Sequence, residues 1–131
     1  MDIRKLHRGK RKDNGEWVEG FYAEFQLGIN SVPFIGASNS IGTMMWFEVY
    51  PETVGQSTGT TDVNAKIIFE GDVVLSKRII DGSDWRGVIV FWNGCFAIKG
   101  YNGNVPAIDL CKNIEIIGNI HDDYEWPGGA Q

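Results

Sequence analysis

Asp72-Val-Val-Leu-Ser-Lys-Arg-Ile-Ile80-Asp81-Gly-Ser-Asp84-Trp85-Arg-Gly-Val-Ile-Val-Phe-Trp92-Asn93-Gly94-Cys95-Phe-Ala-Ile-Lys-Gly-Tyr101 is the stretch that decides the fold class. Asp72 to Ile80 is rich in β-branched residues and reads as a strand, closed by the turn residues Asp81-Gly82-Ser83-Asp84. Trp85 to Trp92 reads as a second strand, and Asn93-Gly94 then supplies two residues that tolerate the positive φ of a type I′ hairpin. Cys95 to Tyr101 returns as a third. Strand, turn, strand, Asn-Gly, strand is a meander, the unit from which small SH3-like or OB-like barrels are made.

Downstream, Ile108 to Cys111 reads as a short strand or one helical turn, Ile114 to Ile120 as the last strand, and residues 124–131 as a frayed tail. Upstream, Trp17 to Leu27 has period two: Trp17, Phe21, Ala23, Phe25 and Leu27 share the odd positions with Glu19, which predicts a strand with that face buried. Residues 28–43 show no period and are rich in Gly, Ser and Asn, so a long loop is expected there. Met44 to Tyr50 reads as a strand halted by Pro51, and Glu52 to Asn64 as turns. No window carries an apolar stripe at helical spacing. The expectation is mostly all-β: a single compact domain over residues 1–131, made of short antiparallel strands in a small barrel or sandwich, with few or no helices.

Composition agrees. Of 131 residues 43% are hydrophobic and 22% charged, and 17 Gly against 4 Pro favour many turns over long helices. The longest apolar run, Val88 to Trp92, is far short of a membrane span, and no apolar segment of signal-peptide length follows the charged N-terminus, so a cytoplasmic protein without a membrane partner is expected. Cys95 and Cys111 fit no framework or metal spacing and read as buried reduced thiols.

The net charge of −5 hides an asymmetry. Residues 1–12 hold Arg4, Lys5, Arg8, Lys10, Arg11 and Lys12 against the single acid Asp2, a net of +5, which leaves −10 on the rest. Such a segment can serve as a nucleic-acid arm, because Lys and Arg displace counterions from phosphate. With positive charge scarce beyond residue 12, docking on an acidic surface of the same or a neighbouring chain is the favoured reading.

Four motifs hold residue types that catalytic or binding chemistry uses. Glu70-Gly71-Asp72 pairs two carboxylates, as an acid–base or metal site would, yet Gly71 suggests a turn in which Asp72 bonds nearby backbone N–H groups. Thr58-Gly59-Thr60-Thr61-Asp62 has phosphate-cradle residue types but lacks the Lys-Ser/Thr ending and the helix of a P-loop. Gly118-Asn119 inside the last strand marks a bulge or a close backbone approach rather than a site. His121-Asp122-Asp123 reads as a solvated strand end rather than an ion site. No catalytic set, metal site or cofactor is expected. The aromatics fall on strands and read as core. Residues 85–92 are apolar on both faces, which predicts a central strand or one covered by another subunit.

Residues 56–74, Gln-Ser-Thr-Gly-Thr-Thr-Asp-Val-Asn-Ala-Lys-Ile-Ile-Phe-Glu-Gly-Asp-Val-Val, resemble the signature of the YopX family of phage and prophage proteins, in which Thr-Gly, Asp and Lys lead into an aromatic-Glu-Gly-Asp-Val-Val stretch. Arg8 to Gly20, Gly87 to Phe96 and Glu115 to Asp122 resemble the family's other blocks, in order. Ser57 stands where the family usually has an aromatic, and Ala65 where Gly is common. The motif positions Thr58, Gly59, Asp62, Lys66, Glu70, Gly71, Asp72, Gly118 and Asn119 are read as structural. The resemblance implies a mostly β protein of phage or prophage origin inside the bacterial cell, forming homo-oligomers, with no catalytic residues to carry over. The resulting expectation is a non-enzymatic oligomeric interaction module whose partners are itself and a phage or host protein. The alternatives are a nucleic-acid module using residues 4–12 and, last, an enzyme or metal site at Glu70 and Asp72.

Overall fold

The computed structural model describes residues 2–100 and 103–122. The frayed tail expected at 124–131, the strand end at Tyr101 and Asp123 lie outside them. Ten strands run through the described residues: β1 (His7–Lys10), β2 (Trp17–Leu27), β3 (Asn30–Ser38), β4 (Met44–Glu48), β5 (Gly55–Thr61), β6 (Ile67–Phe69), β7 (Asp72–Arg78), β8 (Asp84–Trp92), β9 (Cys95–Gly100) and β10 (Cys111–Asn119). Single 3₁₀ turns occur at Ile3–Lys5, Pro51–Thr53 and Ile108–Leu110, and the described residues contain no α-helix. The strands form two antiparallel sheets, ordered β4-β3-β2-β1-β5-β6 and β10-β7-β8-β9, and neither closes into a barrel. The chain divides into two compact units, Met1–Ser57 and Thr58–Gln131, with β5 running across the boundary.

In the first unit β2 pairs with β3 from Phe21↔Gly36 to Leu27↔Asn30, and β3 with β4 from Phe34↔Glu48 to Ser38↔Met44. One face of this sheet is packed: Ile35 and Val49 have no solvent exposure, and a Cβ on Gly9 would meet the Val49 side chain at 2.9 Å. The sheet curls enough for the end of β4 to return to β1. There Lys12 N–H donates to the Glu48 carbonyl at 2.9 Å and Tyr50 N–H to the Lys10 carbonyl at 2.9 Å.

The second unit is built on the meander. Ile68, Val74, Ile89, Ile98 and Cys111 form its core, with Trp85, Phe96, Ile108, Ile114 and Ile116 packed against them. Each fully buried aliphatic contributes about 2 kcal/mol of apolar transfer energy. The Trp85 indole N–H donates to the Ile98 carbonyl at 3.0 Å, so this half-buried ring leaves no orphan donor. Asn93 and Gly94 take φ of 54° and 84°, as a type I′ turn between β8 and β9 requires. The β10 ladder shifts register between Lys112 and Glu115 and again between Ile116 and Gly118, so Gly118 does sit at a bulge.

Several expectations are corrected. The loop expected at 28–43 is largely a strand, β3, with turns only at 28–29 and 39–43. Gly36 and the serines at its ends mask its alternation, and Pro33 is tolerated because its missing N–H falls opposite Val49, where the β4 ladder ends. The turns expected over 52–64 contain β5, whose threonines suit a strand better than their polarity suggests. The basic segment includes β1, paired on both sides. The strand expected over Asp72–Ile80 stops at Arg78, leaving Ile79 and Ile80 exposed in the turn. Cys111 is buried as expected, but Cys95, beside the hairpin turn, is exposed. The closed-barrel form of the expectation is not what the strands adopt.

Candidate interaction surface

The family-motif carboxylates are engaged by the fold. Asp62, 7% exposed, accepts from the N–H groups of Asn64 (2.8 Å) and Lys66 (3.0 Å) through one oxygen and from Ile116 N–H (3.0 Å) through the other. Burial alone would raise its pKa, but the three backbone donors outweigh burial and hold it below the ordinary carboxylate value. Asp72, 1% exposed, accepts from Phe69 N–H at 2.8 Å and from the Asn119 side-chain amide at 3.2 Å. Gly71 precedes it at φ +91°, and Glu70, on the other side of that glycine, is half-buried. Thr58 and Thr60 bring their hydroxyls to 3.1 Å on β5, with Gly59 between them. Lys66 is tied to Asp62 through its backbone at both N–H and carbonyl. Among the described residues, no three His, Cys, Asp or Glu side chains gather as a metal-binding group.

Five of the six basic residues of the N-terminal segment lie against an acid or an aromatic ring. Arg4 pairs with Asp2 at 2.9 Å, Arg11 with Asp13 at 2.7 Å and Lys12 with Glu48 at 3.0 Å. Arg4 pulls the Asp2 carboxyl down to about 2. The Arg11 guanidinium lies 4.0 Å from the Phe47 ring centre, while Arg8 and Lys10 reach the Trp17 ring at 4.6 and 5.4 Å. Lys5 is exposed at the end of the first 3₁₀ turn.

The feature that sequence reasoning placed on the wrong side is the odd face of β2. The packed face of this strand is the even one, where Gly20 is buried; the odd face looks outward. Phe21 is 38% and Phe25 40% exposed, and the register adds Phe34 from β3 and Met44 and Trp46 from β4, the last two 41% and 43% exposed. Phe25 packs edge-on against Phe34 (centroids 4.9 Å apart) and against Trp46 (5.5 Å). Trp46 lies flat over Gly36, where an added Cβ would meet its ring at 2.7 Å. These rings form an ordered apolar platform on the outside of a three-strand sheet. Patches of this kind mark association surfaces in soluble proteins. The signal that could have found it was Gly20 and Gly36: glycines on a strand mark close packing, and Gly20 shows which side is filled.

On the even face, the Tyr22 hydroxyl donates to Glu24 at 2.7 Å, and Ser31 donates to the other Glu24 oxygen at 2.6 Å. Burial, then the Glu24 carboxylate, push the Tyr22 phenol up to about 12, so it stays a donor at any physiological pH.

The model of the YopX protein family matches residues 6–125. The chain belongs to the YopX family. The match spans both compact units, both engaged carboxylates and the outward platform. No curated protein matches the sequence. No helix among the described residues is long and apolar enough to cross a membrane.

Proposed function

We propose that this YopX-family chain is an accessory protein of a phage or prophage, working in the bacterial cytoplasm as a non-enzymatic, self-associating interaction module. One observation carries the reading: the rings of Phe21, Phe25 and Trp46 are exposed together on one sheet face, ordered by each other and by Gly36. Leaving such a surface in water forfeits about 25 cal/mol per Å² that a protein partner would recover. Asp62 and Asp72 support a structural role for the motif, since both accept hydrogen bonds from within the fold. Light scattering at tens of micromolar tests the reading directly. An oligomer that dissociates in Phe21→Glu supports it, and a wild-type monomer removes the self-associating part.

The nucleic-acid reading has one observation in its favour, the alignment of Arg8 and Lys10 beside Trp17 on the outer face. It is the weaker reading because Arg4, Arg11 and Lys12 are ion-paired within the unit. A gel shift at low and moderate salt separates the two, as binding through phosphates falls steeply with salt.

A further inference from the structure

In the second unit a cleft of about 400 Å³ lies between Arg78, Trp85, Asn104, Val105, Pro106 and Leu110. Each of its walls is tied down by backbone hydrogen bonds. Arg78 ends β7, where its N–H donates to the Ser83 carbonyl at 2.8 Å, and Trp85 stands opposite Ser76 at the start of β8. The Trp85 ring is held by its own N–H, bonded to the Ile98 carbonyl of β9. Beyond β9 the carbonyls of Asn104 and Pro106 accept from Gly100 and Ile98 N–H at 2.9 Å each, and the Leu110 carbonyl accepts from Ile79 N–H at 3.0 Å. Four of the six lining residues are apolar, and a preformed cleft of this size and lining suits a small molecule.

The Arg78 guanidinium sets the chemistry of this cleft. It lies 5.6 Å from the centre of the Trp85 ring, and among the described residues no carboxylate stands within ion-pair distance of it. Asp81, in the turn that follows, is occupied by Ser83, whose N–H and hydroxyl reach one Asp81 oxygen at 3.0 and 2.7 Å. Asp84 holds Lys77 at 2.7 Å. A guanidinium offers a planar fork that takes a carboxylate through two parallel hydrogen bonds. Asp81 and Asp109, the latter next to Leu110 in the chain, limit the charge the cleft accepts, because a second negative charge would meet their field with no further cation lining the cleft. We propose that this cleft binds a small aromatic monocarboxylate, its carboxylate on the Arg78 fork and its ring against Trp85, Pro106 and Leu110. Ring burial supplies affinity, and the single cation selects the acid over a neutral analogue. The site is independent of the self-association proposed above, since no residue of the outer platform lines it.

The experiment is isothermal titration calorimetry of the full-length chain with naphthylacetate, with its neutral analogue naphthylethanol, and with adenosine monophosphate as an aromatic ligand of higher charge. Naphthylacetate is expected to bind saturably, at least about tenfold tighter than either of the others, as one charge-assisted hydrogen-bonded pair provides. Arg78→Gln is expected to lower the acid to the affinity of the alcohol. Arg86→Gln, whose side chain leaves the opposite face of β8, is expected to keep the preference. Circular dichroism confirms that both variants fold, and the comparison of acid with alcohol on wild type decides the matter without them. No saturable binding of the acid, equal affinity for acid and alcohol, or a preference that survives in Arg78→Gln overturns the proposal. Adenosine monophosphate binding tighter than the acid overturns the assignment to a singly charged ligand.

Discussion

The Asn119 side-chain amide donates to the buried Asp72 carboxylate at 3.2 Å, joining the last described strand to the turn before β7 across 47 residues of chain. The same Asn119 accepts from His121 N–H through its oxygen at 2.8 Å, so its two ends lock the β10 exit to the β6–β7 turn. Two side chains that read as a motif in sequence are one clamp in space.

Asp72→Ala should therefore cost about 3 kcal/mol, since it strands the Phe69 N–H and the Asn119 amide in a buried site. Asn119→Ala should cost less, and the double variant less than the sum. Urea midpoints for the four proteins measure this, and strict additivity would show that the two groups do not act together.

Asp62 gives the acid limit of the second unit. Its folded-state pKa is depressed, so its ionised form stabilises the fold at all pH values above the ordinary carboxylate range, and that contribution is lost as pH falls through the folded value. Asp62→Asn should be less stable than wild type at neutral pH, with the gap starting to narrow near the ordinary carboxylate value of about 4 and closing only below the depressed folded-state value. A pH series of urea midpoints is the check, with parallel curves for the two proteins as the contrary result.

Left-handed positions should respond in opposite directions. Gly71 has φ +91°, and a Cβ there would come within 3.3 Å of His121 Nε2, so Gly71→Ala should destabilise by about 1–2 kcal/mol. Ala65 has φ 64°, and Ala65→Gly should stabilise by up to about 1 kcal/mol. Thermal melts of the pair suffice. Equal signs would contradict this account.

Core and platform should separate cleanly in mutagenesis. Ile35→Ala, at a fully buried site, should cost about 3 kcal/mol, while Phe21→Ser should change the stability of the isolated chain by less than about 1 kcal/mol. The values are best read at dilution, where association does not add to stability. A large loss at Phe21 would mean that the outward face is covered within one chain.

Cysteine reactivity should follow exposure. A thiol reagent at pH 8 should modify Cys95 quickly in the native protein and Cys111 only on unfolding, because burial both shields the Cys111 thiol and raises its pKa. Mass spectrometry with and without urea counts the modified thiols. Rapid double labelling in the folded state would contradict the placement of Cys111.

The meander was legible because each of its signals is local: β-branched runs, an Asp-Gly-Ser-Asp turn, and Asn93-Gly94 with its demand for positive φ. β3 was not, because Pro33, Gly36 and its serines look like a loop until a neighbouring strand shows which N–H groups are needed. The facing of β2 was misread for a related reason. Alternation shows that two faces differ, but not which one meets the core, and here the face filled by Gly20 is the packed one. The clamp between Asp72 and Asn119 depends on a contact 47 residues away, beyond the reach of any spacing rule.

The four sheet margins differ in what they leave available. β6 is three residues long with Ile68 and Phe69 fully buried. β9 is covered where Ile98 and Gly100 N–H groups donate to the carbonyls of Pro106 and Asn104. β10 is tied off where Val63 N–H meets the Ile114 carbonyl and Asp62 takes Ile116 N–H. On β4 the outward backbone groups of Met44 and Trp46 stay open, while Glu48 and Tyr50 are bonded to Lys12 and Lys10. Two alternate residues are too short a run for a further strand to add, and an edge cut that short gives a growing fibre no place to begin.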